Sequence, residues 1–301
     1  MPTMKLALPD MISNSYFPAM AAVELGFFAN ENLEVSLELM SPADKAYRAL
    51  AEGAVDFVGA EAHAALAVFP EWRGMKLLCA QAQGMYWFLV MRADIGARRG
   101  QLDSVRGRRI GAAPFVEMGL RRLLIEAGID PARDVAIAPI PGSLGLKVNT
   151  GVTAAQALAD GVIDGFWANG MGAEIAVRRG VGTVVLDVRR GDGPKPAFDY
   201  TFAALAASDR LIESRPDAIA AAKRAIIATH AALKQDVTLA AAVGRKLFPA
   251  EEAKLITELV RRDLPFYDSS ISEHAVARLN RFARDVGLLE GNPPHKDVVA
   301  V

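Results

Sequence analysis

The segment Ala51 to Ala60, AEGAVDFVGA, returns as ADGVIDGFWA, Ala159 to Ala168. Both copies read small residue, acid, glycine, any residue, β-branched residue, aspartate, then a short apolar run. Glycine tolerates the left-handed conformation that closes a helix, so Gly53 and Gly161 each read as a helix end. The apolar runs that follow are short and bounded, as in strands covered on both faces. Two such units imply two similar α/β lobes, and a two-lobed α/β chain places its site in the cleft between them.

The rest of the pattern extends this reading. Strands are expected at Lys5–Leu8, Leu33–Met40, Val55–Gly59, Met75–Ala80 and Trp87–Met91. A second set is expected at Arg109–Ala113, Val135–Ile140, Ile163–Trp167 and Thr183–Val188, after which a strand returns at Thr201–Ala206. Helices are expected at Phe17–Leu25, Met118–Ala127 and Thr153–Asp160, the last with Thr153 and Gln156 as a capping box. Another runs from Pro42 to Glu52, with Ser41 as its N-cap and Asp44 in its first turn. Alternating strands and helices imply mostly parallel sheets flanked by helices. From Pro216 onward the pattern is helical, and this tail packs against the first lobe. The lobes are expected at residues 1–90 with 201–301, and at 91–200. The chain then crosses twice between them, which suits a hinge.

Composition removes several function classes. Across 301 residues the formal net charge is −1, and charged residues make up 23%. The basic cluster Arg98, Arg99, Arg106, Arg108 and Arg109 has no interleaved aromatics, so nucleic-acid binding is not expected. No apolar stretch is long enough to span a membrane. The one cysteine, Cys79, sits in the apolar run MKLLCAQA, and no Cys/His spacing suits a metal. The start, MPTMKLALPD, carries no secretory signal, so the expectation is a periplasmic protein if a signal was removed and a cytoplasmic one otherwise. No Ser-His-Asp order, phosphate loop or dinucleotide fingerprint occurs, and no cofactor is expected.

In open α/β sheets ligands sit beyond the carboxyl ends of the strands, where helix N-termini offer free N–H groups. The loops there are 9–16, 40–44, 59–63, 81–86, 113–117, 141–150 and 167–171. Ser13, Asn14 and Ser15 can bind a polar edge and Tyr16 can stack on it, or Ser13 or Asn14 merely caps the helix. Trp167 can wall an aromatic clamp opposite Tyr16, or pack internally; Asn169 follows it. Phe115 and Tyr200 are weaker aromatic candidates, and Gln83 lies in the 81–86 loop. Glu61 and His63 can polarise a ligand proton, although a lone histidine after a strand is more often structural. Glu117 complements the helix dipole and repels a phosphate or sulfonate there. The ligand is therefore expected to be neutral, aromatic or partly cationic rather than a small strong anion.

Lys5–Leu8, Ser13–Pro18, Ala22–Val35 (AVELGFFANENLEV), the Gly53-Ala54-Val55-Asp56 turn, Arg109-Ile110-Gly111 and the Gly161-Val162-Ile163-Asp164 turn with Trp167 occur in order. Together they resemble the substrate-binding proteins of ABC importers in the SsuA/THI5 (NMT1-like) group. The resemblance implies a type II periplasmic-binding-protein fold with its ligand between the lobes, no catalysis, delivery to an ABC permease, and a monomer. Family ligands include alkanesulfonates, nitrate and pyrimidine precursors of thiamin. By position, the contacts fall on Ser13, Asn14, Ser15, Glu61, Ala113 to Phe115, Trp167 and Asn169. The alternative on the same fold is a signal-less cytoplasmic enzyme, decarboxylase-like or thiamin-pyrimidine-related, or a ligand sensor. The thiamin-pyrimidine synthases' cysteine cluster is missing, and Ser15 stands where the biphenyl desulfinases need a cysteine.

Overall fold

In the computed structural model, which describes residues 3–143 and 150–300, the two echoed turns are built from the same hydrogen bonds. Gly53 and Gly161 take φ of +74° and +68°, where an L side chain is strained. Ala54 and Val55 N–H return to Ala49 O, as Val162 and Ile163 N–H return to Ala157 O. The aspartate three residues after each glycine then meets a residue at the start of the neighbouring strand. Asp56 N–H donates to Lys5 O while its Oδ2 accepts from Lys5 N–H at 2.8 Å. Asp164 N–H donates to Arg109 O while its Oδ2 accepts from Arg109 N–H at 3.0 Å.

The chain divides into two units, residues 1–84 with 201–301 and residues 85–200. In chain order the first contains β1 (Met4–Leu8), α1 (Phe17–Glu24), α2 (Phe27–Asn30), β2 (Val35–Leu39), α3 (Ala43–Glu52), β3 (Phe57–Glu61) and β4 (Met75–Ala82). The second contains β5 (Phe88–Arg92), β6 (Arg109–Ala112), α4 (Val116–Glu126), β7 (Ala136–Ala138), α5 (Thr150–Ala159), β8 (Gly165–Ala168), α6 (Gly170–Arg178) and β9 (Gly182–Asp187). The first unit resumes with β10 (Ala203–Ser208), α7 (Asp209–Ser214), α8 (Pro216–Gln235), α9 (Leu239–Leu247), α10 (Ala250–Asp263), α11 (Glu273–Asp285) and α12 (His295–Val298).

Each unit holds a five-stranded sheet, in the orders β2-β1-β3-β10-β4 and β7-β6-β8-β5-β9. Pairing is parallel except around one strand in each. β10 runs antiparallel to β3 and β4, and β5 antiparallel to β8 and β9. The expected mostly parallel sheets therefore each carry one reversed strand, and it is the strand by which the chain enters that unit. Its amino end lies level with its neighbours' carboxyl ends, Ala203 beside Glu61 and Ala82, Phe88 beside Ala168 and Asp187. The inner strands of both sheets, such as β3, β8 and β10, are buried, with helices packed against the sheets, as mixed α/β layers require.

Several local expectations are corrected. Residues 85–90, placed by sequence in the first lobe, lie in the second unit because β5 pairs with β8 and β9. β3 starts at Phe57 rather than Val55, because the Val55 N–H is spent closing α3. Ser41 makes no cap bond to α3; the extended Pro42 takes that position, one residue closer to Ala43. α5 begins at Thr150, so Thr153 and Gln156 lie inside it, and Gln156 bonds Asp160 instead. Of the expected loop at 141–150, residues 144–149 lie outside the described residues.

Asp164 also receives the Arg109 guanidinium, at 3.0 Å on each oxygen. These bonds, the Arg109 backbone N–H and the Arg92 charge hold its carboxyl down at about 2. A carboxyl depressed in the folded state stabilises the fold above its ordinary pKa, and that contribution fades as pH falls toward the depressed value. Asp164→Ala is expected to cost about 2 kcal/mol at pH 7 and Asp56→Ala about 1 kcal/mol, since Arg109 and its solvent-screened charge have no counterpart beside Asp56. Denaturant melts should show the Asp164 difference constant down to about pH 5 and shrinking between roughly pH 4 and 2.

Candidate functional site

The carboxyl edge of the first unit gathers the loop after β1, the end of β3 and the amino end of β10. Asp10 Oδ1 accepts from Ile12 N–H, and Ser13 Oγ from Ser15 N–H at 3.0 Å, so the loop is folded by its own side chains. α1 starts at Phe17 without a side-chain cap, with Pro18 in its first turn. Neither Ser13 nor Asn14 caps it. Asn14 instead donates Nδ2 to Asp263 Oδ2 at 2.6 Å, a buried contact with the last residue of α10. Asn14 Oδ1 and Ser15 Oγ are buried and have no hydrogen-bond partner.

Tyr16 donates to Glu61 Oε2 at 2.6 Å, and Tyr47 on α3 donates to the Glu61 carbonyl at 3.3 Å. Burial first, and the Glu61 charge second, push the Tyr47 phenol well above its ordinary range, so it stays protonated. His63 is fully buried in the 3₁₀ segment after β3. Its Nδ1 lies 3.0 Å from Thr201 Oγ1 and its ring meets Phe282 edge-on. Glu61 and His63 are thus engaged with different partners. Gln83 donates from Nε2 to Asp268 O and Ser270 O, tying down the chain after α10. Beside it, His230 lies 2.8 Å from Gln81 O and stacks on Tyr267. Burial pushes that imidazole down to about 4, so it is neutral at physiological pH.

The carboxyl edge of the second unit gathers the loop after β6, the ends of β8 and β9 and the amino end of β5. Trp167 is fully buried, donates its indole N–H to Val116 O at 3.1 Å and packs edge-on against Trp87. Trp87 in turn packs against Tyr86, whose ring carries the Arg189 guanidinium 5.5 Å from its centre. Gly119 permits this packing, because a Cβ there would lie 2.8 Å from Met85 Sδ and 3.0 Å from Trp87. Trp167 therefore props the first turn of α4 in this structure and offers no open face.

Asn169 caps α6, its Oδ1 accepting from Met171 and Gly172 N–H. Ala113 is half-buried and its carbonyl takes the Glu117 N–H. Phe115 precedes α4 with φ +66°, a strained conformation for a residue with a side chain. Glu117, in the first turn of α4, is half-buried with Oε2 lacking any partner, and burial raises its pKa. Tyr200 is buried at the end of the unit.

Sequence reasoning did not single out Asp263, Tyr47, Thr201, Trp87 or Arg189. An aspartate closing a helix opposes the helix dipole, which was the one available sign for Asp263. Thr201 and Trp87 precede the reversed strands, and only the reversal puts them at these edges. Among the described residues no group of His, Cys, Asp or Glu is disposed to hold a metal ion, and no helix is long and apolar enough to cross a membrane.

The family model described as NMT1/THI5 like matches residues 13–236. No curated protein matches the chain. Among solved structures, a protein from Bordetella bronchiseptica RB50 superposes with a TM-score of 0.79 at 17% identity, covering 100% of this chain and 95% of that one. The alkanesulfonate-binding protein SsuA from Xanthomonas axonopodis pv. citri bound to MOPS gives 0.74 at 12% identity, with 99% and 98% covered. The periplasmic nitrate-binding protein NrtA from Synechocystis PCC 6803 gives 0.70 at 14%, with 99% and 86% covered. These likenesses establish the type II periplasmic-binding-protein fold expected from the sequence.

A buried carboxyl whose pKa is raised on folding weakens the fold once pH exceeds its ordinary value, because the folded state holds the proton more tightly. Glu117→Gln is therefore expected to stabilise the protein by about 1 kcal/mol at pH 8 and to give no gain below about pH 4. Denaturant melts at the two pH values read the difference.

Proposed function

The chain belongs to the NMT1/THI5 like family, and from that premise we propose that it captures a small organic ligand for delivery to an ABC permease. The observation that carries the proposal is the pair of buried, unpartnered atoms on adjacent residues, Asn14 Oδ1 and Ser15 Oγ. A buried polar atom without a partner costs roughly 1–3 kcal/mol, so such atoms are retained where a ligand or an ordered water completes them. They stand at the strand ends where α/β folds bind ligands. Two solved structures of the same fold are named as an alkanesulfonate-binding and a nitrate-binding protein.

The chemistry supports capture rather than turnover. Ser15 Oγ has no base within hydrogen-bond reach, so it is not an activated nucleophile. His63 and Glu61 are held by Thr201 and Tyr16.

The finer reading is a neutral, aromatic or heterocyclic ligand in preference to a small strong anion. Glu117 places a carboxylate in the first turn of α4, where an anion would otherwise dock. The loops of both units would contribute, Ser13 to Tyr16 and Glu61 from one, Ala113 to Glu117 from the other, with Trp167 and Asn169 holding α4 and α6 behind the second set. The proposal includes ligand-driven closure of the two lobes, a periplasmic setting and a monomeric state. Closure requires contacts that the ligand makes only in the closed form.

A thermal-shift screen of small organic molecules is expected to yield binders, and Ser15→Ala is expected to weaken each hit about 5- to 10-fold with little change in the melting point of the free protein. Solution scattering with a hit should show a smaller radius of gyration. Hits that bind Ser15→Ala as well as the native chain would remove the proposal's main support.

A further inference from the structure

The two ends of an asparagine amide have opposite hydrogen-bond sense: the nitrogen only donates and the oxygen only accepts. Asn14 cannot choose between them. Its Nδ2 faces Asp263 Oδ2 at 2.6 Å, and a carboxylate oxygen takes hydrogen bonds and gives none. Turning the amide over would set two oxygens against each other in a buried place, since Asn14 and Asp263 are each 1% exposed. The contact joins the loop after β1 to the last residue of α10. With the nitrogen committed, the oxygen is turned away, shut off from water and without a partner.

We infer that Asp263 is a positioning residue that fixes the hydrogen-bond sense of Asn14, so that the ligand group meeting Asn14 Oδ1 carries an N–H or O–H donor. The chemical class is an amine, a primary or secondary amide or an amino-substituted heterocycle. A carboxylate, a sulfonate or an ether offers that oxygen only another acceptor. Ser15 Oγ serves a donor or an acceptor equally and does not discriminate. The inference rests on the ligand-capture reading and deepens it: Asp263 never touches the ligand, yet it decides which ligands are accepted.

Calorimetry with matched probes tests it, using benzamide against N,N-dimethylbenzamide and 4-aminopyrimidine against 4-(dimethylamino)pyrimidine. The native chain is expected to bind the N–H member of a pair roughly 10-fold more tightly, since the dimethylated partner leaves the buried oxygen unsatisfied. In Asp263→Asn the new amide gives or takes a hydrogen bond, Asn14 can turn over, and the preference is expected to fall to about 3-fold or less. A steric penalty from the methyl groups would survive that change, and a polarity preference would not. Asn14→Ala should likewise lose the preference, and it serves if Asp263→Asn fails to fold. Equal binding of both members by the native chain overturns the inference, as does a preference undiminished in a folded Asp263→Asn. Failure of every probe to bind the native chain counts against the ligand-capture reading itself.

Discussion

Two aspartate side chains set the geometry on which everything else rests. Asp56 and Asp164 each bond the backbone of a residue at the start of a neighbouring strand, Lys5 and Arg109, through side chain and main chain together. Register in a parallel pair is otherwise settled by the apolar pattern alone, and a slip of one residue would turn every side chain to the other face. The aspartates remove that freedom at the start of β1 and β6. Because the starts are pinned, the far ends are placed too, and the loops 13–16 and 113–117 spring from those far ends.

Polar groups at these edges fall into two kinds. Some are spent on the scaffold: Trp167 on Val116, Asn169 on α6, Gln83 on the chain after α10. Each replaces water with a fixed partner and so holds a loop in one shape. Others, Asn14 Oδ1, Ser15 Oγ and Glu117 Oε2, remain unspent. A scaffold that satisfies most of its own groups holds the few open ones in fixed positions. Anything that completes the open set adds its binding free energy to the stability of the fold.

Much of this was legible in the sequence because it is local. The glycine that closes a helix and the aspartate that follows carry their geometry in their chemistry, and the echo made the two units visible. The helical tail from Pro216 onward was legible too. What was hidden depends on distant residues. The reversal of β5 and β10 has no local mark, since an apolar strand reads the same in either direction. α6 was missed because Gly170 and Gly172 mimic a loop, and the Asn169 cap that rescues it looks like any polar residue after a strand. The Asn14–Asp263 contact spans most of the chain. Trp167 has the side chain of a binding wall, and only its packing against Trp87 shows it to be a prop.

The position of β10 has a consequence for how the molecule is made. It lies between β3 and β4 in the first sheet, although it is synthesised after the whole of the second unit. As the chain emerges from the ribosome, the stretch 85–200 holds all the strands of its own sheet and can finish folding. The earlier stretch cannot, because the slot between two of its strands stays vacant until residues 203–208 arrive. In that interval the edges of β3 and β4 are unpaired, the kind of surface that chaperones shield and that invites wrong partners. Assembly therefore runs from the middle outward, and a narrow, alanine-rich strand is the last piece set into the sheet that was begun first.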